Sequence, residues 1–314
     1  MGKLWNNLPV ARVHVLTAAV LFGTTGTAQA LGPDIEPLAV GSARIVVGAA
    51  LLSVIALATG RARGGSAPGR ARLGSADRRL VLVAGAFVAV YQASFFAAVA
   101  DTGVAVGTVV ALGSAPAFTG LFGRVFAGER LEGRWFAATG LACAGVCLLT
   151  LGGSSGGEVS APGIGLALAA GAGYAGYAVI GKHLLDHGGT PEGVMAAVFG
   201  TGAIALLPAL VLVDSGDLLT ANGLALAAYL GVVTTAVAYI LFAKGLARIG
   251  ASETATLTLA EPVTAMALGV AVLGERPGAA ALAGAALVLA GLALLAVRLD
   301  RRPTRAPRTA EAPA

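Results

Sequence analysis

PAFTGLFGRVFAGER spans residues 116–130, and PVTAMALGVAVLGER spans residues 262–276. Each opens on a proline, carries a glycine at the same internal position (Gly123, Gly269) and ends in Gly-Glu-Arg, in register at an offset of 146 residues. A chain of 314 residues that repeats such a segment at nearly half its own length reads as two related halves. The fold then turns on the medium in which the halves sit and on the direction each one runs.

Composition settles the medium. The chain is 57% hydrophobic, 12% charged and carries 46 glycines, whereas soluble domains hold about 25% charged residues. Apolar stretches of about 20 residues, the length that crosses a bilayer as a helix, alternate with short polar patches rich in Gly and Arg. They lack the period-2 alternation of a membrane barrel, so helices are the spanning form. The sequence predicts an all-α polytopic membrane protein with ten spans, near 13–31, 38–59, 80–100, 104–126, 134–152, 162–186, 191–213, 222–243, 252–273 and 278–298. Only Asp101-Thr102-Gly103 marks a turn between the third and fourth. Lys3, Arg12, the apolar run from Val13 to Phe22 and AQA at 28–30 imitate a secretory signal. An uncleaved first span is expected instead, because its removal would leave nine spans and break the symmetry.

Five spans precede the linker GGSSGGEVSAP (152–162) and five follow it. An odd number per half inverts one half relative to the other. The predicted domains are a cytoplasmic N-terminus 1–12, a first repeat 13–152, a linker 153–161, a second repeat 162–298 and a disordered cytoplasmic tail 299–314. With both termini on the cytoplasmic side, every Lys and Arg except Arg44 and Arg276 falls in an inner connection or at a helix end bordering one. Six arginines sit in the loop 60–79 and four in the tail after Leu299. The outer connections hold Asp34, Glu36, Asp101, Glu158, Asp214, Asp217 and Glu275. The net charge of +5 thus records topology, and arginines spread over several loops without interleaved aromatics argue against a nucleic-acid partner. Glu129 and Glu275 end equivalent helices at opposite faces. Inverted repeats can exchange conformations about a site near the midplane, as secondary transporters do.

The residues also carry a resemblance. LAEPVTAMALGVAVLGERPGAAALAGAALVLAGLALL at 259–295 and SARIVVGAALL at 42–52 are similar to the last two helices and the second helix of the drug/metabolite transporter superfamily, specifically its EamA-type repeat pair. The resemblance covers roughly residues 13–298. LFGTTGT (21–27) stands where that family often has a tryptophan before the glycine, and Ala115 stands where the second half has Glu261. The resemblance implies an exporter of amino acids, small metabolites or drugs, and the Ala/Gly/Arg bias of the composition points to a GC-rich genome and a bacterial inner membrane. The resemblance also implies a cavity lined by the first four helices of each half, with the fifth and tenth outside it.

Within that frame the charged and aromatic residues of the spans are the expected substrate contacts. A charge near the membrane centre costs about 2.5–3.5 kcal/mol or more, so Glu261 is expected in a cavity, as a proton carrier or a ligand for a cationic group. Hydrogen bonding to backbone freed by Pro262 is the competing role. Arg44 lies about 9 Å into the second span at 1.5 Å per residue, where it either snorkels outward or binds a carboxylate. Together Arg44 and Glu261 suit the two ends of an amino acid. Phe22, Tyr91, Gln92, Tyr174, Tyr177 and Tyr239 are candidate contacts for an amphipathic solute. Pro116 and Pro262 each remove one helical hydrogen bond and are candidate hinges. Glu129 and Glu275 are candidate gate residues, or simply helix-ending turns in which Gly128 and Gly274 supply backbone freedom. Glu253 is explained by a favourable helix N-terminus.

Other signals lead elsewhere. GAGYAG (171–176) has the spacing of a dinucleotide loop, but no strand precedes it. His183, Asp186 and His187 sit at a helix end, where polar residues need no metal, and Cys143 and Cys147 read as small packing residues. No cofactor or metal is expected. The Gly/Ala-rich fifth and tenth spans suit close packing within a monomer or in a homodimer. No G-x-x-x-x-G-K-[ST] loop is present, which leaves proton-motive force or simple exchange to drive a secondary exporter. An importer, or a membrane-embedded enzyme acting on lipid or peptide, is the alternative, although the enzyme would need converging ionisable groups beyond one deep acid and one arginine.

Overall fold

A computed structural model describes residues 8–62, 75–151, 160–213, 216–274 and 276–296. Ten apolar helices account for them: α1 Leu8–Leu31, α2 Pro37–Ala62, α3 Asp77–Thr102, α4 Val110–Ala127, α5 Gly133–Leu151, α6 Ala161–Asp186, α7 Pro191–Leu212, α8 Ala221–Leu246, α9 Ala251–Leu273 and α10 Ala279–Ala296. The basic loop, the linker and the tail singled out above fall largely or wholly outside the described residues, as does Glu275. The first helix begins five residues earlier than the hydropathy of the sequence suggests, because Leu8 and Pro9 join it.

The turn expected at 101–103 takes an unusual form. Helical backbone runs without a break over Ser75–Ala127, 53 residues, which as a straight rod would measure about 80 Å against a hydrocarbon core of about 30 Å. The chain nevertheless doubles back. A Cβ built on Gly107 would stand 3.1 Å from the Cα of Val99, eight residues earlier, where a straight helix would separate the two by about 12 Å. Along α6, Gly163 abuts Asp101 and Thr102, Gly173 abuts Tyr91 and Gly176 abuts Phe87, so α6 runs antiparallel to α3; Gly171 abuts Ala111 and Ser114 of α4.

These contacts define two ends of the bundle. The near end carries the start of α1, the α4–α5 connection, the start of α9 and the finish of α10. The far end carries the start of α2, the α3–α4 reversal and the start of α6. The packing repeats itself under a two-fold exchange of halves. Helix α1 packs on α8 and α9 as α6 packs on the α3–α4 pair, α2 pairs with α7, and α5 pairs with α10. This is the inverted five-plus-five arrangement. At the α5–α10 contact a Cβ on Gly145 would fall 2.6 Å from the carbonyl oxygen of Gly284, and one on Gly291 would fall 2.6 Å from that of Ala138. Only glycine lets these backbones approach so closely.

The duplicated segments end their helices the same way. Gly128 has φ 63° and Gly274 has φ 70°, a left-handed conformation that a side chain disfavours. The carbonyl of Gly123 accepts from Glu129 N–H at 2.9 Å, and that of Gly269 accepts from Gly274 N–H. The glycines shared at mid-segment therefore receive the capping bonds. Large apolar side chains such as Val211 (82% exposed), Phe126 (75%) and Ile204 (70%) cover the outside, the surface expected of a protein solvated by lipid.

Candidate functional site

Two helices depart from regular α geometry at the centre of the bundle. In α8, Leu230–Val237 is π-helical, and Thr234 and Thr235 both return their hydroxyls to the carbonyl of Leu230, at 2.8 and 3.0 Å. In α9 the helix stops at Leu257 and resumes at Ala260. Pro262 has no N–H for the carbonyl of Thr258, which instead accepts from Glu261 N–H at 2.9 Å. The helix is thus interrupted just ahead of Pro262, where the proline cannot supply the missing hydrogen bond. Pro116, by contrast, sits inside an unbroken helix. The break also changes the setting of Glu261. It lies in the first turn of the half-helix Ala260–Leu273, where the helix dipole favours negative charge, rather than in the middle of a continuous span.

A cavity lies between these irregular segments. Helices α1 (Phe22, Thr25), α2 (Arg44), α3 (Tyr91), α4 (Ala111, Leu112, Ala115), α6 (Tyr174), α8 (Thr234, Tyr239) and α9 (Ala255, Thr258, Leu259, Glu261) line it. Neither α5 nor α10 contributes to the lining, and neither does α7. The opposed charges share this space, with Arg44 on one wall and Glu261 on another, yet no ion pair joins them among the described residues. One half presents Ala115 where the other presents Glu261, so the cavity is charged asymmetrically despite the symmetry of the backbone.

Six of the eight residues expected to contact substrate line this one cavity: Phe22, Arg44, Tyr91, Tyr174, Tyr239 and Glu261. The other two stand behind it. Gln92 is 1% exposed, outside the lining, and its Oε1 accepts from Nη2 of Arg44 at 3.2 Å. Tyr177, also 1% exposed, meets the hydroxyl of Tyr239 at 3.2 Å. The lining threonines were not singled out in the sequence. Thr258 bonds Tyr174 at 3.2 Å, and the alternating Thr254-Ala-Thr256-Leu-Thr258 run was a usable signal for it. Thr234 left no comparable signal, because only the π-helical turn aims it inward.

Two layers of side chains lie between the cavity and the near end. An aromatic floor comes first, with Tyr239 packed 4.1 Å from Phe199 and 5.7 Å from Phe242 between ring centroids, and Tyr177 beneath it. Glu129 forms the second layer. Its carboxylate accepts from Ser252 Oγ at 2.7 Å and from Ser252 N–H at 3.4 Å, capping the start of α9 from the end of α4. Gly123 and Gly250 make room for it, since a Cβ on either would lie 2.3 and 1.9 Å from the Glu129 oxygens. Alongside, Arg12 Nε meets Glu253 Oε1 at 2.7 Å, and Trp135 Nε1 donates to the Ser252 carbonyl at 3.1 Å. Glu253, read from sequence as a residue satisfied by its helix terminus, is therefore also an ion-pair partner. Lys182 and Asp186 pair at 2.7 Å elsewhere at this end, with the rings of His183 and His187 4.0 Å apart.

Two inverted five-helix halves, a broken helix beside the cavity, and a cation and an acid that line it without an ion pair between them among the described residues are the features of a polytopic membrane transporter. The chain belongs to the EamA-like transporter family, which it matches twice, over residues 11–151 and 161–297. It is 40% identical over 295 residues to the "Uncharacterized transporter YwfM" of Bacillus subtilis, covering 93% of this chain and 95% of that protein. It is 30% identical over 230 residues to a "Probable amino-acid metabolite efflux pump" of Escherichia coli, covering 68% and 75%. Its fold matches a crystal structure with a TM-score of 0.76 over 91% of this chain and 96% of that one, at 22% identity.

Proposed function

We propose that this transporter exports amino acids or closely related zwitterionic metabolites across a bacterial inner membrane by alternating access. The observation that carries the reading is the pair Arg44 and Glu261, which line one cavity without bonding each other. Buried charges are usually paired, because each alone costs free energy in a low-dielectric site. A cation and an acid held apart await a solute that carries both opposite charges. Thr25, Thr258 and the tyrosine hydroxyls supply neutral hydrogen-bonding partners, and Phe22 and the tyrosine rings an apolar wall. A protein named as an amino-acid metabolite efflux pump among the relatives supports the same class.

Orientation follows from charge. Arg12, Lys182, Lys244 and Arg248 gather at the near end, which the positive-inside tendency assigns to the cytoplasm together with both termini. The aromatic floor under the cavity then lies on the cytoplasmic side. Rocking of one half against the other, with Pro262 as hinge and Glu129 as part of the inner gate, would expose the cavity inward. Pro116 would serve as the matching hinge in the first half, and Glu275 as the gate residue its sequence position suggests. Glu261 also provides a carboxyl that a proton and the substrate ammonium can contest, which supports proton coupling. The described residues that line the cavity all belong to one chain, which fits either a monomer or a homodimer.

The test is an untargeted mass-spectrometric comparison of medium from cells carrying wild type or Glu261→Gln at matched membrane levels. Enrichment of particular amino acids by wild type alone supports the reading. Equal enrichment by both removes Glu261 from the site, and no enrichment by wild type overturns export of native metabolites.

A further inference from the structure

Arg44 has a neighbour that could have carried charge and does not. Gln92 sits on α3, one residue past the cavity-lining Tyr91, and its Oε1 takes a hydrogen bond from Arg44 Nη2 at 3.2 Å. The glutamine side chain is almost fully buried. Its approach is built in: a Cβ on Gly41 would lie 2.5 Å from Gln92 Nε2 and 2.1 Å from the ring of Phe96. Among the described residues, Arg44 Nε and Gln92 Nε2 are both buried donors with no acceptor. The arrangement is thus rich in donors and short of acceptors, although buried donors ordinarily find partners.

We infer that Gln92 is a selectivity-determining positioning residue, which fixes the Arg44 guanidinium through a neutral acceptor and so keeps its full charge for a carboxylate on the substrate. This rests on the zwitterion reading above and assigns the carboxylate end to one subsite. A guanidinium anchored by a carboxylate would form a closed ion pair, whose attraction is already spent. An amide oxygen holds the same geometry while leaving the charge free. The side chain therefore acts from outside the cavity, which accounts for its absence from the lining. Glutamate in its place has nearly the same shape but would neutralise Arg44, and the site would lose its preference for anions. Gln92→Met would release the guanidinium without neutralising it.

The experiment reads ligand-induced thermal stabilisation of the full chain in detergent, with leucine and leucinamide as probes that differ only at the carboxylate. Phenylalanine and phenylalaninamide serve as a second pair. Wild type should prefer the acid over the amide by about tenfold or more in apparent affinity, as expected for a charge-assisted contact. Gln92→Met should retain part of that preference, and Gln92→Glu should abolish or reverse it. The same order from both probe pairs supports the inference. Equal preferences in wild type and Gln92→Glu would overturn it while leaving the zwitterion reading intact. A Gln92→Glu preference at or above that of Gln92→Met would overturn it as well. If wild type binds neither acid better than its amide, Arg44 is not an anion subsite, and both the inference and the reading beneath it fall. Should Gln92→Glu not fold, Gln92→Met decides the matter: an acid preference equal to that of wild type would contradict the positioning role.

Discussion

Glu129→Gln removes one charge from the near-end contact between α4 and α9, the proposed inner gate, and almost nothing else. In the structure its carboxylate takes the Ser252 hydroxyl at 2.7 Å and the Ser252 N–H at 3.4 Å, at the first turn of α9. Replacing a charged acceptor by an amide weakens the hydroxyl bond and the interaction with the helix N-terminus, together by about 1–2 kcal/mol. These contacts tie α4 to α9 across the two halves, so under the proposed alternating access they form only while the near end is closed. All of the lost energy therefore falls on one conformation, and the population open at the near end should rise on the order of 5–30-fold. The reporter is a cysteine at Thr119, which is fully buried and whose carbonyl accepts from Ser252 Oγ, in a chain with Cys143 and Cys147 replaced by serine. Its rate of modification by a polar maleimide tracks the open population. Gly250→Ala should act in the same direction, because its Cβ would fall 1.9 Å from a Glu129 oxygen and displace the carboxylate. A labelling rate unchanged in both variants, in protein that remains folded, would refute the assignment of Glu129 to the inner gate.

Other consequences follow from the packing. Gly145→Leu should lower the melting temperature, by an overpacking cost of about 1–3 kcal/mol, yet leave solute preference untouched, since α5 lines no part of the cavity; a changed preference would contradict that layout. A double-mutant cycle on Arg12→Gln and Glu253→Gln, read by chemical denaturation, should give a coupling of about 0.2–1 kcal/mol, because the pair is partly exposed at 15% and 24%. Pro262→Ala restores an N–H to the carbonyl of Thr258, and should straighten α9 and slow transport several-fold while raising thermal stability. Faster transport would argue against a hinge at this point.

The ten helices were legible because lipid imposes a length and a composition on anything that crosses it, and the inversion was legible because Gly128-Glu129-Arg130 and Gly274-Glu275-Arg276 stand an odd number of spans apart. Arg44 and Glu261 could be found for the same reason: an isolated charge inside an apolar run is expensive and therefore conspicuous. What the sequence concealed depends on local departures from regular helix. Asp101-Thr102-Gly103 signalled the reversal between α3 and α4 but not that its backbone stays helical, and Thr234 turns inward only through π-helical geometry. Periodicity cannot separate a residue that faces the cavity from one packed directly behind it, so Gln92 and Tyr177 look like Tyr91 and Tyr174 in the sequence. Glu129 illustrates a different limit. Its place in a helix-ending turn is local, but its partner Ser252 lies 123 residues away.

The central claim, that two separated charges receive the two ends of one zwitterion, is tested most directly by counterflow competition in proteoliposomes holding the wild-type chain. Labelled leucine exchange would be challenged with unlabelled leucine, leucinamide and N-acetyl-leucine. The account predicts that leucine competes best and that each analogue, lacking one charge, is weaker by about tenfold or more. Competition by either analogue as strong as that by leucine itself would contradict it.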